Sequence, residues 1–221
     1  MTRWLKDNRG FLIFLACLGL FRTAVADWNP IPSGSMRPTI LEGDVVLVNR
    51  LAYDLKVPLT DLSLARLGEP ERGDVVTFTS PADGTRLIKR LVALPGDVVA
   101  MQDDVLTING KSAHYDDMAH LTETVSPGMV LRATRATESG VGKAHAVQIL
   151  QGVGSKRSFE SLVVPADHYF VLGDNRNNSA DSRFIGFVPR ALLIGRAGHV
   201  LVSADITSNW MPRFGRMGMP L

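Results

Sequence analysis

Past Asp44 the chain alternates short apolar, β-branched runs with turn signals. The runs are Val45–Val48, Val75–Phe78, Leu87–Val92, Val98–Met101, Val105–Ile108, Tyr169–Leu172 and Gly198–Val202. Each has strand length and is rich in side chains that suit a pleated surface. Turn chemistry separates them at Glu42-Gly43-Asp44, Arg72-Gly73-Asp74, Pro95-Gly96-Asp97, Asn109-Gly110 and Gly173-Asp174-Asn175. Asn109-Gly110 is a hairpin signal in its own right, because both turn positions tolerate positive φ. Many short strands and few helical periods predict a mainly β, largely antiparallel fold. Between His114 and Ser161 the sequence is polar, Gly-rich and weakly periodic, and reads as an elaboration inserted into that core.

The N-terminus follows a different pattern. Arg3, Lys6 and Arg9 precede an apolar stretch from Gly10 to Phe21, then come Arg22 and Thr23-Ala24-Val25-Ala26. An uninterrupted run of about 12 residues is shorter than the roughly 20 that span a bilayer, but Trp4, Leu5 and Thr23 to Ala26 can lengthen it, with Arg22 snorkelling to the far headgroups. The same layout, with Ala24-Val25-Ala26 before Asp27, also suits a cleavable secretory signal. Both readings keep the N-terminus in the cytoplasm and send everything after Asp27 outward. At the other end, Trp210, Met211, Phe214, Met217 and Met219 lie among Arg213 and Arg216. That tail suits an anionic membrane surface or packing against the core.

Composition narrows the function. With 221 residues, 45% of them hydrophobic and 21% charged, the chain can bury one substantial core. A formal charge of +2, with no basic run interleaved with aromatics, gives no indication of nucleic-acid binding. The single cysteine, Cys17, excludes an internal disulfide. His114, His120, His145, His168 and His199 form no metal-ligand spacing, and no Gly-x-Ser-x-Gly, P-loop or dinucleotide fingerprint occurs. Metal, cofactor and nucleic acid are all expected to be absent from the chemistry.

Three segments can carry chemistry. Pro32-Ser33-Gly34-Ser35-Met36-Arg37-Pro38-Thr39 is a constrained loop in which Gly34 permits close backbone approach and Pro38 holds Arg37 extended, so that Ser35 can present its hydroxyl and amide; it can equally be a plain turn. In Thr85-Arg86-Leu87-Ile88-Lys89-Arg90-Leu91-Val92, alternation puts Leu87, Lys89 and Leu91 on one face and Ile88, Arg90 and Val92 on the other, so one of the two basic residues must face the core. A desolvated Lys89 would lose affinity for its proton and become a base for a nearby hydroxyl; on an edge strand it would simply be solvated. Gly173 to Arg183 is dense in polar groups. Asp181 with Arg183, or Asp174 with Arg176, can pair to stiffen it, and Ser179 can bond a neighbouring amine.

Taken in order, Ser33 to Thr39, Arg72-Gly73-Asp74-Val75-Val76, Leu87-Ile88-Lys89-Arg90 with Pro95-Gly96-Asp97, and Gly173 to Arg183 resemble the bacterial type I signal peptidase family. The resemblance runs from about Arg22 to Val202 and is weak across the insertion. It implies a Ser-Lys serine endopeptidase that removes signal peptides from exported preproteins after Ala-x-Ala-like sites. Ser35 falls on the nucleophile, Lys89 on the general base, Ser179 on the lysine-orienting serine, and the Ser35 amide with the Ser33 hydroxyl on the oxyanion donors. Asp174, Asp181 and Arg183 match structural polar residues, and Ile31, Met36 and Ile88 match the walls of pockets for small side chains. The family keeps its hydrophobic N-terminal segment, which favours an anchor over a cleaved signal. The implied organisation is a cytoplasmic end at 1–9, a single-pass transmembrane helix at 10–26 in the inner membrane, an extracytoplasmic, barrel-like β catalytic core at 27–112 and 162–203, a smaller β-rich insertion at 113–161, and a tail at 204–221. A pilin-maturation peptidase of a conjugative system and a catalytically silent, anchored peptide-binding β protein are the alternative readings.

Overall fold

A computed structural model describes the chain except for Met1, Asp61, Pro127 and Ser155. The side chains of Thr2, Arg3 and Ser126 also lie outside the described residues, and with them the orienting role expected of Arg3. Two helices come first, α1 (Thr2–Asp7) and α2 (Arg9–Ala24), followed by the strands β1 (Ala26–Pro30), β2 (Asp44–Asn49), β3 (Asp54–Lys56), β4 (Ser63–Arg66), β5 (Val75–Thr79) and β6 (Arg86–Ala93). Next come β7 (Val98–Gln102), β8 (Val105–Ile108), β9 (Lys111–Ser112), β10 (His114–Ser126), β11 (Met129–Ser139), β12 (His145–Leu150), β13 (Phe159–Val163) and β14 (His168–Leu172). The short helix α3 (Ser182–Ile185), β15 (Val188–Pro189) and β16 (Leu193–Ser203) follow.

Seven strands form an open sheet in the order β1-β2-β16-β5-β6-β14-β15, with every neighbouring pair antiparallel. It curls into a half-barrel and leaves β1 and β15 as free edges. Each strand read from the sequence is present. β16 runs well beyond Gly198–Val202 because register shifts at Leu193/Gly195, Ala197/His199 and Val200/Val202 break the alternation that marks a strand in sequence. β1 lies where the sequence suggested the end of an apolar segment; as an edge strand it tolerates Pro30. The polar stretch after His114 is a three-stranded meander, β10-β11-β12, while β13 returns to pair with β7 in a second sheet, β13-β7-β8-β9.

Three apolar clusters fill the molecule, and β6 borders all of them. Ile88 packs on Ile31, Met36, Ile40, Val46 and Val75; Leu91 joins Tyr53, Val76, Phe78 and Val171; Val92 and Ala93 join Val99, Leu106 and Phe170. With apolar packing on both sides, β6 has no solvent face in its second half. Alternation requires one of Lys89 and Arg90 to face the core; in the structure both turn inward, since each is 3% exposed.

α2 has no buried residue, and Phe11, Phe14 and Phe21 are all exposed. It is 16 residues long, and among the described residues no helix is long and apolar enough to cross a membrane. Arg22 does not reach away from the protein: its Nε lies 2.8 Å from Asp27 Oδ1 and its guanidinium stacks on Trp28 at 4.6 Å. The C-terminal tail docks on the core, with the Val200 amide donating to the Met219 carbonyl and Arg216 paired with Asp44, while Trp210 and Phe214 stay exposed.

Candidate active site

Ser35 sits in a single 3-10 turn, Gly34–Met36, entered from Ser33 with extended backbone (φ −135°, ψ 154°). Arg37 closes the turn in an extended conformation (φ −60°, ψ 143°), as a residue before proline should. Gly34 is needed for a reason the sequence did not reveal. A Cβ there would fall 2.7 Å from Glu42 Oε1 and 3.1 Å from Arg37 Nε, so the glycine makes room for an ion pair rather than for substrate alone.

Lys89 Nζ lies 2.7 Å from Ser35 Oγ and 2.9 Å from the Ile88 carbonyl oxygen. The shorter contact serves either direction: an ammonium donates to the hydroxyl, and a neutral amine accepts its proton. Desolvation pushes the Lys89 amine down to about 8, against the opposing pull of the Asp181 and Asp174 carboxylates. A buried lysine beside a hydroxyl, partly neutral near physiological pH, is equipped to take a proton.

The polar loop after β14 is fastened from several directions. Arg90 binds Asp174 through Nε to Oδ1 at 2.9 Å and Nη2 to Oδ2 at 2.8 Å, and Thr39 donates to Asp174 Oδ2 at 2.5 Å. Burial pushes the Asp174 carboxyl up, but Arg90, His145 and Thr39 outweigh it and hold the group below the usual carboxylate range. Asp181 binds Arg183 with two contacts of 2.8 Å and accepts the Gly173 amide at 3.0 Å. Of the two pairings expected within the loop, Asp181–Arg183 forms and Asp174–Arg176 does not. Arg176 is instead buried against Glu138 of β11, at 2.6 Å, because the loop turns that side chain away from β6 and towards the three-stranded sheet.

Asn175, which the sequence did not single out, grips the serine turn directly. Its Nδ2 donates to the Gly34 carbonyl at 2.9 Å and its amide to the Ser35 carbonyl at 3.1 Å. Gly173 explains how the loop comes so close, since a Cβ there would sit 2.5 Å from both the Ser35 carbonyl oxygen and Ser179 Cβ. Ser179 makes no bond to Lys89; its hydroxyl is buried and has no partner among the described residues. Ser33 is exposed and its side chain makes no capping bond. Of the apolar candidates, Ile88 is partly exposed, whereas Ile31 (4%) and Met36 (0%) lie beneath it in the core.

A family model described as "Signal peptidase, peptidase S26" matches residues 1–202. The chain belongs to this signal peptidase family. It is 34% identical over 226 residues to a signal peptidase I of Pseudomonas fluorescens, covering 96% of this chain and 78% of that one. To a signal peptidase I of Pseudomonas aeruginosa it is 33% identical over 228 residues, with the same coverage. To one of Rickettsia massiliae it is 33% identical over 218 residues, covering 91% and 81%. A solved signal peptidase I from Enterococcus faecalis V583 shares 34% identity over 58% of this chain and 96% of its own; its TM-score of 0.35 is too low to bear on geometry. This signal peptidase is therefore a serine peptidase acting on exported preproteins that carry signal peptides, a reading supported over pilin maturation or silent peptide binding.

Proposed function

We propose that Ser35 is the nucleophile of this peptidase and Lys89 its general base, and that the enzyme works on the outer side of the inner membrane. The observation that carries the assignment is the 2.7 Å contact between Nζ and Oγ inside a desolvated pocket. Ser35 Oγ attacks the scissile carbonyl carbon as its proton passes to Lys89 Nζ. The resulting oxyanion is met by the Ser35 amide and the Ser33 hydroxyl, which has no capping duty. The C–N bond breaks as the Lys89 ammonium returns the proton to the leaving amine. The neutral Lys89 amine then takes a proton from water as the water oxygen attacks the acyl carbon; the C–Oγ bond breaks and the Lys89 ammonium returns the proton to Ser35 Oγ, freeing the enzyme.

Ser179 is the neighbouring hydroxyl that can steady the amine; a rotation about its side chain gives its unpartnered group a use. Asp174, Asp181 and Arg183 hold the loop that carries it. An extended substrate segment adding to a sheet edge would present alternate side chains to the protein. Ile88 offers the accessible wall, with Ile31 and Met36 as the floor that fixes its position. Shallow walls of this kind favour Ala-x-Ala-like sites by excluding bulk.

α2 acts as a retained lipid anchor in this reading. At about 24 Å it is shorter than the ~30 Å hydrocarbon core, a deficit met by local thinning and by α1, which continues its hydrogen bonding through Asn8. Retention is supported by Ala26 and Asp27 lying inside β1, paired with Asn49 and Val48, with Asp27 also held by Arg86 at 2.9 Å. The test is incubation of the purified chain with a preprotein bearing an Ala-x-Ala site, followed by mapping of the product N-terminus. The parent should cut after the second Ala; Ser35→Ala and Lys89→Met should be folded and inactive. Full activity in either variant removes its assignment.

A further inference from the structure

Besides Asn175, the serine turn is held from a second side, by the three-stranded sheet. Arg37, two positions after Ser35, directs Nε to Glu42 Oε2 at 2.7 Å and one Nη to Glu123 of β10. Both the Arg37 and Glu123 side chains are largely buried. The other Glu123 oxygen accepts from Arg135 of β11 at 2.7 Å, and Arg135 Nε donates to Gln148 Oε1 of β12 at 2.8 Å. Gln148 is fully buried and zipped to the polar loop: its amide donates to the Asp174 carbonyl, and its carbonyl accepts from the Arg176 amide, both at 2.8 Å. Between those two residues stands Asn175, which returns to the Gly34 and Ser35 carbonyls.

These contacts form a closed circuit that starts and ends on the serine turn. Asn175 fixes the backbone of the turn on one flank, and Arg37 fixes it on the other. Within the circuit Glu123 receives both Arg37 and Arg135, so the charged link between the serine turn and β10-β11 passes through its two oxygens, beside a longer 3.4 Å bond from Arg37 to the Thr124 carbonyl of β10. Nothing in this path reaches the Lys89 amine, whose described bonds go to Ser35 and Ile88. A nucleophile misplaced by about 1 Å can lose roughly a hundredfold in rate, so a brace of this kind bears on turnover more than on substrate affinity.

We propose that Glu123 is a positioning residue for the Ser35 nucleophile, and that the three-stranded sheet braces the serine turn through the Arg37–Glu123–Arg135–Gln148 chain. The proposal rests on Ser35 being the nucleophile. That reading fails if Ser35→Ala cleaves preprotein, whereas this one fails if Ser35→Ala is dead and Glu123→Gln is not impaired.

The experiment uses the full chain in detergent with the Ala-x-Ala preprotein, and in parallel measures the rate at which a small acylating reagent labels Ser35. Glu123→Gln is expected to lower kcat by about 10- to 100-fold with KM within about twofold of the parent. It should lower the labelling rate by a similar factor and leave the midpoint of the acid limb of the pH profile in place, because the amine is untouched. Arg37→Met combined with Glu123→Gln should lose no more than the worse single variant, since one brace is being cut twice. Arg135→Met, which cuts the same path at a more exposed position, should move kcat in the same direction and provides the test should Glu123→Gln fail to fold. Glu160→Gln on the exposed face of β13 serves as the control and should match the parent. Parental kcat and labelling rate in folded Glu123→Gln or folded Arg135→Met, or multiplied losses in the double variant, would overturn the proposal.

Discussion

In the proposed mechanism, burial of Lys89 would make the base and weaken the fold through the same energy. With the amine brought down to about 8, about a tenth of it is neutral at pH 7. kcat/KM should therefore rise with pH, level off above a midpoint near 8, and show that limb in the free enzyme. The stability effect has the opposite origin. The unfolded chain holds the Lys89 proton up to the ordinary lysine pKa, so between about 8 and about 10.4 it binds more protons than the folded protein, and stability rises with pH across that window. At pH 7 the folded ammonium carries the full penalty, at most roughly 3 kcal/mol. Lys89→Met should raise the denaturation midpoint at pH 7 while abolishing cleavage, and should lose the rise between pH 8 and 10; denaturant titrations of both proteins across that range provide the check. The alternation of the sequence around Lys89 correctly marked an inward-facing cation. It missed Arg90 because alternation assumes one wet face, and β6 packs against apolar clusters on both sides. Gly173→Ala belongs to the same scale: its new Cβ meets the Ser179 side chain and also the Ser35 carbonyl oxygen, a backbone atom that cannot swing aside, so activity should collapse, read as lost preprotein cleavage.

Among the elements, the polar loop from Gly173 to Arg183 shows what ion pairs do when they are buried. Arg90 and Asp174 are almost wholly removed from water, so Asp174→Asn strands a cation in the interior. The expected cost is about 3–5 kcal/mol, measured as a fall in chemical-denaturation midpoint. Asp174 is held below the usual carboxylate range, so its contribution is present above about pH 4 and is lost as the pH falls through the lower folded value. The polar density of this loop was visible in the sequence, but its partners were not. Asp174 reaches back 84 positions to Arg90, and Arg176 reaches 38 positions to Glu138. Local spacing suggests Asp174 with Arg176, and only the fold shows that the two leave the loop in different directions. The family resemblance implied a β-rich insertion, but β10 and β11 were not individually marked by pattern for a related reason: much of their surface is exposed, so no apolar period of two picks them out. The short core strands, each with buried positions facing a cluster, were legible almost to the residue.

At the scale of the molecule, the order of four motifs carried what no single motif could. Ser35 and Lys89 lie 54 positions apart, and nothing in either segment alone says that they meet. The apolar N-terminus was equally plain as a pattern, while the strand that follows it was not, since Asp27, Asn29 and Pro30 hide an edge strand behind polar and helix-breaking residues. If α2 is a retained anchor, deletion of residues 2–24 should spare β1 and leave cleavage of a short Ala-x-Ala peptide within about threefold of the parent. The same deletion should abolish flotation with lipid vesicles and slow cleavage of vesicle-inserted preprotein by ~10-fold or more, the order of effect expected when co-localisation is lost.

Only Val25 separates α2 from β1, and β1 is zipped to β2 along its whole length. The joint has no slack, so if α2 is the lipid anchor proposed above, the catalytic centre would hang from the bilayer on a rigid strut. Such a strut would work as a depth gauge: it would select the bond that rises to one set height above the lipid, and thereby measure the spacing between a preprotein's greasy segment and its cut. Adding a few Gly-Ser residues after Ala24 should blur that measurement, so that a series of preproteins with lengthened or shortened spacers, discriminated by the parent, is processed more evenly.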